Sequence, residues 1–221
     1  KSQMSEKATN SVNVQEDTES VDFTGKVNID VEMPEYIYKT DSSVKQMGYN
    51  PKTVGRDEFN RPLQVVEMQD LYGEKYNAKY IGSSEKEIYL TFTMGYEYSN
   101  NGVKNTDRVL DILKEKNVKA AFFVTGEYIE DEKELCQRIV SEGHKLGCHG
   151  YEHPSDGIAS QPVEVFIEDT KKIYNAIYEL TNQEPYLYRF GSGIWNERAL
   201  AILSEMGFEV IFHSYTYADY F

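Results

Sequence analysis

From Glu85 to the end of the chain, short apolar segments alternate with stretches in which apolar residues recur every three or four positions. Short apolar segments are typical of buried strands, and the longer period is typical of one face of a helix. Their alternation predicts an α/β fold, in which helices join the strands of a parallel sheet. The five predicted strands span residues 88–92, 120–125, 145–149, 186–190 and 209–213.

Four helices are predicted between these strands. Their apolar stripes are Val109, Leu110, Ile112 and Leu113; Leu135, Ile139 and Val140; Phe166, Ile173, Ile177 and Leu180; and Leu200, Leu203 and Met206. The candidate N-caps are Asn105 or Thr106, Ser160 and Asn196, and the candidate left-handed C-terminal residues are Asn117, Gly143 and Gly207. A closed barrel of this type needs about two or three more strands. We therefore expect a partial (β/α) barrel of about five parallel strands, incomplete at its C-terminus.

The chain before residue 85 has a different composition. Residues 1–45 are rich in polar side chains, which predicts a tether, and the alternating stretch 27–33 predicts a short strand within it. Residues 46–84 contain Pro51, Pro62 and scattered aromatic residues, which predicts an irregular wrap leading into the domain at 85–221.

Charge excludes some partners. Lys and Arg total 23 against 37 Asp and Glu, a formal charge of -14, which argues against nucleic acid and anionic membranes as partners.

No apolar run is long enough for a transmembrane helix. The start at Lys1, without a signal segment, is interpreted as a mature or engineered boundary. Two cysteines, Cys136 and Cys148, are too few for a disulfide scaffold and leave the redox compartment open.

Ligands of parallel α/β folds bind at the carboxyl ends of the strands, so the residues that follow each strand are candidates for a site. His149 and His153 follow the third predicted strand, four residues apart. This spacing brings two imidazoles together over one turn, as zinc or a similar metal needs. Two histidines in a polar loop can equally be solvated or hydrogen-bonded to carboxylates, and both interpretations stay open.

Four segments resemble, in order and spacing, the motifs of the NodB-type polysaccharide deacetylases, carbohydrate esterase family four. They are IYLTFTMGYE at 88–97, AFFVT at 121–125, GHKLGCHGYEHP at 143–154 and YRFGSG at 188–193. The resemblance begins near residue 75 and is closest to the peptidoglycan-directed branch of spore-forming Gram-positive bacteria. It implies removal of N-acetyl groups from N-acetylglucosamine or N-acetylmuramic acid with zinc or cobalt, and a secreted or cell-envelope location.

The first motif departs from the family pattern. The family has Thr-Phe-Asp-Asp-Gly-Tyr, where the first Asp is the catalytic base and the second binds the metal beside two histidines. Thr93 and Met94 occupy these positions here. A threonine hydroxyl cannot act as the base near neutral pH, and a thioether is a poor substitute for a carboxylate on zinc. No catalytic set is therefore intact, and we expect no tightly bound metal at His149 and His153.

The third motif is partly retained. Arg189 and Asp219 match the family's supporting pair, whereas Phe190 and Gly191 replace two prolines of the groove wall. The resemblance implies that the general-acid histidine of the last motif would follow Phe221. His213 is interpreted as a rim or core residue. The residues assigned to the substrate groove are Tyr96, Phe190 and Trp195.

Replacement ligands and bases are also conceivable. A third metal ligand could come from Cys148, Glu97 or Asp156, although a buried, inert thiol is an alternative interpretation of Cys148. A replacement base could come from Glu97, Glu152 or Asp156.

Three hypotheses follow. The first is a degenerate deacetylase that binds cell-wall glycan, or a protein partner, with weak or no hydrolysis. The second is an active metal-dependent deacetylase with a rearranged site. The third is a structural module that assembles through its N-terminal arm or through the open sheet edge at 209–213.

Overall fold

Strands and helices alternate through the second half of the chain, as the sequence predicts. The structure, a computed structural model, describes residues 26–47, 54–82 and 87–216. The strands are β1 (Lys45–Gln46), β2 (Ala78–Lys79), β3 (Thr91–Met94), β4 (Ser99–Asn100), β5 (Val103–Lys104), β6 (Ala121–Val124), β7 (Lys145–Cys148), β8 (Leu187–Tyr188), β9 (Ile194–Trp195) and β10 (Glu209–Ile211). The α-helices are α1 (Leu63–Met68), α2 (Asn105–Glu115), α3 (Gly126–Asp131), α4 (Lys133–Ser141), α5 (Val163–Thr181) and α6 (Glu197–Glu205).

Six strands form one parallel sheet in the order β2-β10-β8-β7-β6-β3. The sheet curls into half a barrel, so the predicted fold class, a partial (β/α) barrel, is confirmed. Each of the five predicted strands overlaps a strand of this sheet. The sixth strand, β2, was not predicted, because two residues are too few to show alternation and its pairing with Val210 and Ile211 is formed far along the chain.

The first predicted strand is displaced toward its C-terminal end. Pairing with β6 begins at Thr91, whereas Ile88, Tyr89 and Leu90 are exposed despite their apolar character. Within the described residues β3 pairs only with β6, so the outer edge of β3 ends the sheet.

The helix caps agree in part with the predictions. Asn196 caps α6 by accepting a hydrogen bond from the Ala199 N–H, and Asn117, Gly143 and Gly207 adopt positive φ. At α2 the predicted caps are wrong. The carboxylate of Glu97, outside the helix, accepts from the Thr106 N–H at 3.1 Å, and Asn105 is already helical. The third cap is also wrong, because α5 begins after Pro162 rather than after Ser160.

The described part of the N-terminal arm packs on the domain. Residues 27–33 form no strand, so that prediction is wrong; Asn28 instead organises a turn through its side-chain and backbone oxygens. Val27 and Ile37 are buried, and the Asn28 N–H donates to the Met206 carbonyl beside α6. No helix among the described residues combines the length and apolar character needed to span a bilayer.

Candidate functional site

Four of the predicted site residues are Thr93, His149, Arg189 and Asp219, and the first three lie together at the carboxyl ends of their strands. Thr93 is in β3, His149 follows β7 and Arg189 follows β8. Arg189 Nη1 donates to Thr93 Oγ1 at 3.1 Å, and the Arg189 carbonyl is 2.9 Å from His149 Nδ1. The fourth residue, Asp219, lies outside the described residues.

The two histidines lie side by side, with ring centroids 5.2 Å apart. Because the Arg189 carbonyl can only accept, His149 Nδ1 carries the proton and Nε2 keeps its lone pair. Burial, together with the charges of His153 and Arg189, lowers the pKa of His149 to about 3. His149 is therefore a neutral imidazole at physiological pH, in the tautomer that a metal ligand would need.

Gly191 makes room for the second histidine. A Cβ atom at position 191 would lie 2.9 Å from His153 Cδ2, closer than side chains normally approach. The ring of His153 therefore packs directly against backbone, at a position where the resemblance places a proline.

The described residues do not complete a metal site. Glu97 is held by Thr106 and Tyr128, and Asp156 accepts from Gln161 at 3.1 Å. Glu152 is exposed and lies 3.8 Å from Lys172. In the described ranges no group of three His, Cys, Asp or Glu side chains could hold an ion.

Thr93 and Met94 do not supply the lost carboxylates. Thr93 Oγ1 accepts from Arg189, and Met94 packs against the hydrophobic core. Catalytic zinc typically has three protein ligands. Two neutral imidazoles alone do not fit a tightly held catalytic ion.

Cys148 is a buried thiol rather than a ligand. Burial raises its pKa well above the ordinary value, and burial also raises the pKa of Cys136 to about 12. Neither cysteine forms a disulfide.

We expect neither cysteine to react with an aromatic disulfide reagent in the native protein, because the reactive thiolate is both buried and scarce. Both should react within minutes in denaturant. The absorbance of the released aromatic thiol measures the number of cysteines that have reacted. If a cysteine of the native protein reacted as fast as it does in denaturant, the burial of these side chains would be contradicted.

Arg189 connects β3 with β10, two strands that are not neighbours in the curled sheet. Its Nη1 and Nη2 donate to Thr93 and Thr91 of β3, while Nε and Nη2 donate to the carbonyls of Ile211 and Phe212 at β10. The residue is 8% exposed, and burial lowers its pKa to about 10. Its hydrogen-bond acceptors among the described residues are all neutral oxygens. Arg189 therefore braces the sheet through charge-assisted hydrogen bonds.

The predicted groove residues separate into two groups. Tyr96 is exposed at the rim, as a groove residue must be. Phe190 and Trp195 are each 2% exposed and pack with Phe212 and neighbouring aromatic rings, so the structure places them in the core and corrects their assignment to the groove. His213 directly follows Phe212 and is partly buried, and burial and the charge of Arg189 lower its pKa.

Two elements of this region were not predicted. Thr91, the second acceptor of Arg189 on β3, could have been found because it lies two positions before Thr93, on the same strand face. The hairpin β4–β5 turns at Asn101-Gly102, a dipeptide that favours a type I′ turn and that the sequence displays plainly.

Acidification is expected to destabilise the fold through His149. Its pKa of about 3 lies below the ordinary value of 6.5, so between these pH values the unfolded chain binds more protons. The free energy of unfolding therefore falls as the pH decreases through this window. We expect His149→Asn, whose amide can still donate to the Arg189 carbonyl, to reduce this pH dependence.

Urea denaturation from about pH 7 down to about pH 5 measures the effect. The pKa values of His144 and His213 are also lowered. Both residues are present in wild type and in the variant, so their contributions to the pH dependence cancel in the comparison. If the free energy of unfolding depended on pH with the same slope in wild type and in His149→Asn, the prediction would be contradicted.

Fold and rim together define a class, and comparisons with known proteins agree with it. The chain belongs to the polysaccharide deacetylase family, whose sequence model matches residues 81–211. Peptidoglycan-N-acetylmuramic acid deacetylase PdaA of Bacillus subtilis is 35% identical over 149 residues, which cover 66% of this chain and 54% of that protein. The chain spans about half the length of the curated relatives it matches.

Solved structures share the fold. A family 4 carbohydrate esterase from Bacillus anthracis is 34% identical with a TM-score of 0.63, covering 78% of this chain and 74% of that one. The structure of Bacillus subtilis PdaA is 28% identical with a TM-score of 0.68, covering 82% and 73%. Family membership is consistent with a divalent metal cofactor, although the described residues supply only the two histidines.

Proposed function

We propose that this chain is a polysaccharide deacetylase-family protein that binds cell-wall glycan at the cell envelope and hydrolyses its N-acetyl groups weakly or not at all. One observation carries the proposal. At the position of the family's base the side chain is Thr93, and its hydroxyl oxygen accepts a hydrogen bond from the guanidinium of Arg189.

The chemistry of amide hydrolysis supports the absence of efficient turnover. A general base must accept a proton from water, and a threonine hydroxyl hydrogen-bonded to a guanidinium is too weakly basic to do so near neutral pH. A bound divalent ion would polarise the amide carbonyl and activate water. The two imidazoles that remain would hold such an ion weakly.

The rim nevertheless keeps features that suit a glycan. Tyr96, two residues after the end of β3, exposes its ring, and aromatic rings with polar tips are well suited to sugar surfaces. PdaA, similar in sequence and fold, is named for peptidoglycan. The chain has 37 acidic and 23 basic residues, and this negative charge disfavours nucleic acid as the polymer that it binds.

The two other hypotheses receive less support. A rearranged active site needs a free carboxylate, but Glu97 caps α2, Asp156 bonds Gln161 and Glu152 faces solvent near Lys172. For an assembly role, the described part of the N-terminal arm packs on its own domain rather than extending away from it. The sheet edge expected to be open at 209–213 is covered, because β10 pairs with β2 on one side and β8 on the other.

The deciding experiment measures acetate release from peptidoglycan and N-acetylglucosamine oligomers, with zinc or cobalt added, and binding of the same glycans in parallel. We expect binding without acetate above background. Metal-dependent turnover that disappears in His149→Ala would overturn the proposal in favour of an active enzyme. Neither binding nor turnover would favour the assembly role.

A further inference from the structure

Two tyrosines project from the segment that follows β3. Tyr96 and Tyr98 are 69% and 67% exposed, and their rings meet edge to face with centroids 5.8 Å apart. Large exposed aromatic surfaces of this kind are typical of binding sites, because burial against a ligand removes apolar area from water. The pair continues the rim that begins at Thr93.

The residue between them fixes the tyrosines in place. The carboxylate of Glu97 accepts hydrogen bonds from the Thr106 N–H at 3.1 Å and the Tyr128 hydroxyl at 3.0 Å. The Tyr98 carbonyl accepts from the Asn105 N–H at 2.8 Å. Because Glu97 is held against the domain, its two neighbours are presented to solvent on an ordered backbone, which lowers the entropy cost of binding.

A small cavity lies at the hairpin that follows the tyrosines in the chain. The hairpin β4–β5 closes through Asn101 and Gly102, both at positive φ. Between the hairpin and α2 lies a cavity of about 310 Å³, lined by Asn100, Asn101, Val103 and Arg108. Two amides that can donate and accept, together with one guanidinium, give it a polar wall suited to hydroxyl, acetamido and carboxylate groups.

Arg108 points to an acidic ligand. In a chain of net charge -14, its exposed side chain forms no ion pair with any described residue. Arg138, further along the chain, lies against Asp107, Asp111 and Glu142. Asp107 and Asp111, the acidic residues nearest to Arg108 along α2, are instead paired with Arg138, so the Arg108 guanidinium is left for a ligand. A guanidinium that forms no ion pair, beside two amides, is suited to bidentate binding of a carboxylate.

We propose that Tyr96, Tyr98, Asn100, Asn101 and Arg108 form a glycan-binding surface for a carboxylate-bearing amino sugar, of which N-acetylmuramic acid is an example. The tyrosine rings pack on the sugar faces, the two amides bond its polar substituents and Arg108 binds its carboxylate. This inference rests on the proposed function and specifies which residues hold the glycan and which chemical feature they select.

The test uses two probes of the same length: glycan strands freed of peptide, whose muramic acid carboxylates are ionised, and the same strands with those carboxylates converted to methylamides. We expect Tyr98→Ala to weaken binding of both probes about tenfold, as truncation of a buried aromatic anchor does. Arg108→Gln should reduce affinity for the ionised probe about tenfold and leave the amidated probe unchanged.

Matched controls come from the same chain. Tyr38→Ala removes a tyrosine that is 54% exposed on the N-terminal arm, and Lys114→Gln removes a charge from the other end of α2. Both should bind as wild type does. Thermal unfolding of every variant tests that the fold is intact.

The outcomes separate the two proposals. Wild-type binding of glycan that Tyr98→Ala and Arg108→Gln leave unchanged would overturn this inference while the proposed function stands. Equal affinity of wild type for the ionised and amidated probes would overturn the role of the carboxylate. Failure of wild type to bind either probe would overturn the proposed function itself, and this surface with it.

Discussion

Replacing Arg189 by methionine is expected to lower the free energy of unfolding by about 3–5 kcal/mol, because it leaves several buried oxygen acceptors without a donor, at about 1–3 kcal/mol each. The substitution removes donors from Thr91, Thr93 and the carbonyls of Ile211 and Phe212. It also removes the guanidinium from the face of the Phe123 ring, 4.3 Å away. Because β3 and β10 are not neighbours in the sheet, no strand pairing between them can replace the connection.

Urea denaturation at neutral pH measures this loss, with Arg138→Met as the control. Arg138 contacts three carboxylates, but it lies near the surface, where ion pairs contribute about 1 kcal/mol or less each. We therefore expect the larger loss of unfolding free energy in Arg189→Met, although Arg189 has no acidic partner among the described residues. Equal losses in the two variants, or a loss below about 1 kcal/mol at Arg189, would contradict a bracing role.

The double substitution Thr93→Asp with Met94→Asp is expected to raise zinc affinity more than about 100-fold. Loss of a residue that merely supports a metal ligand typically costs 10–100-fold, so restoring the direct carboxylate ligand at position 94, with a second carboxylate beside it at position 93, should exceed that range. The guanidinium that now donates to Thr93 Oγ1 at 3.1 Å would hold the pKa of a carboxyl at this position low and keep it ionised.

Competition with a chromophoric chelator measures the affinity, and Thr93→Asn with Met94→Asn is the uncharged control of equal size. Acetate release should remain slow even with zinc bound. A general acid contributes about 10²–10⁴-fold, and His213, the described rim histidine beside Arg189, has a lowered pKa and is neutral when the donor must be protonated. Equal zinc affinity of the Asp and Asn pairs would contradict the prediction.

The sequence predicts the sheet and the rim well because both depend on local patterns. Apolar runs mark the interior strands, and the residues that follow Cys148 and Tyr188 reach the same edge because parallel strands share a direction. Strand β2 and the cap of α2 depend on partners many residues away, Val210 and Glu97. Local patterns do not reveal those pairings.

The burial of Phe190 and Trp195 shows the same limit. The resemblance places both on a groove wall, but aromatic residues from distant segments enclose them. Phe212 contacts both rings, and Tyr80 packs against Trp195. The final environment of a side chain is decided by which distant residues reach it, so a motif position can be retained while its exposure changes.

The contact between His153 and Gly191 makes these two positions interdependent. Any side chain at position 191, including the proline that the family resemblance places there, would bring its Cβ to 2.9 Å from His153 Cδ2, so the ring would have to shift. Introducing aspartates at positions 93 and 94 leaves this contact unchanged, whereas Gly191→Pro changes the surroundings of a histidine that a rebuilt metal site needs. The first motif and the groove wall are therefore not equivalent starting points for rebuilding the site.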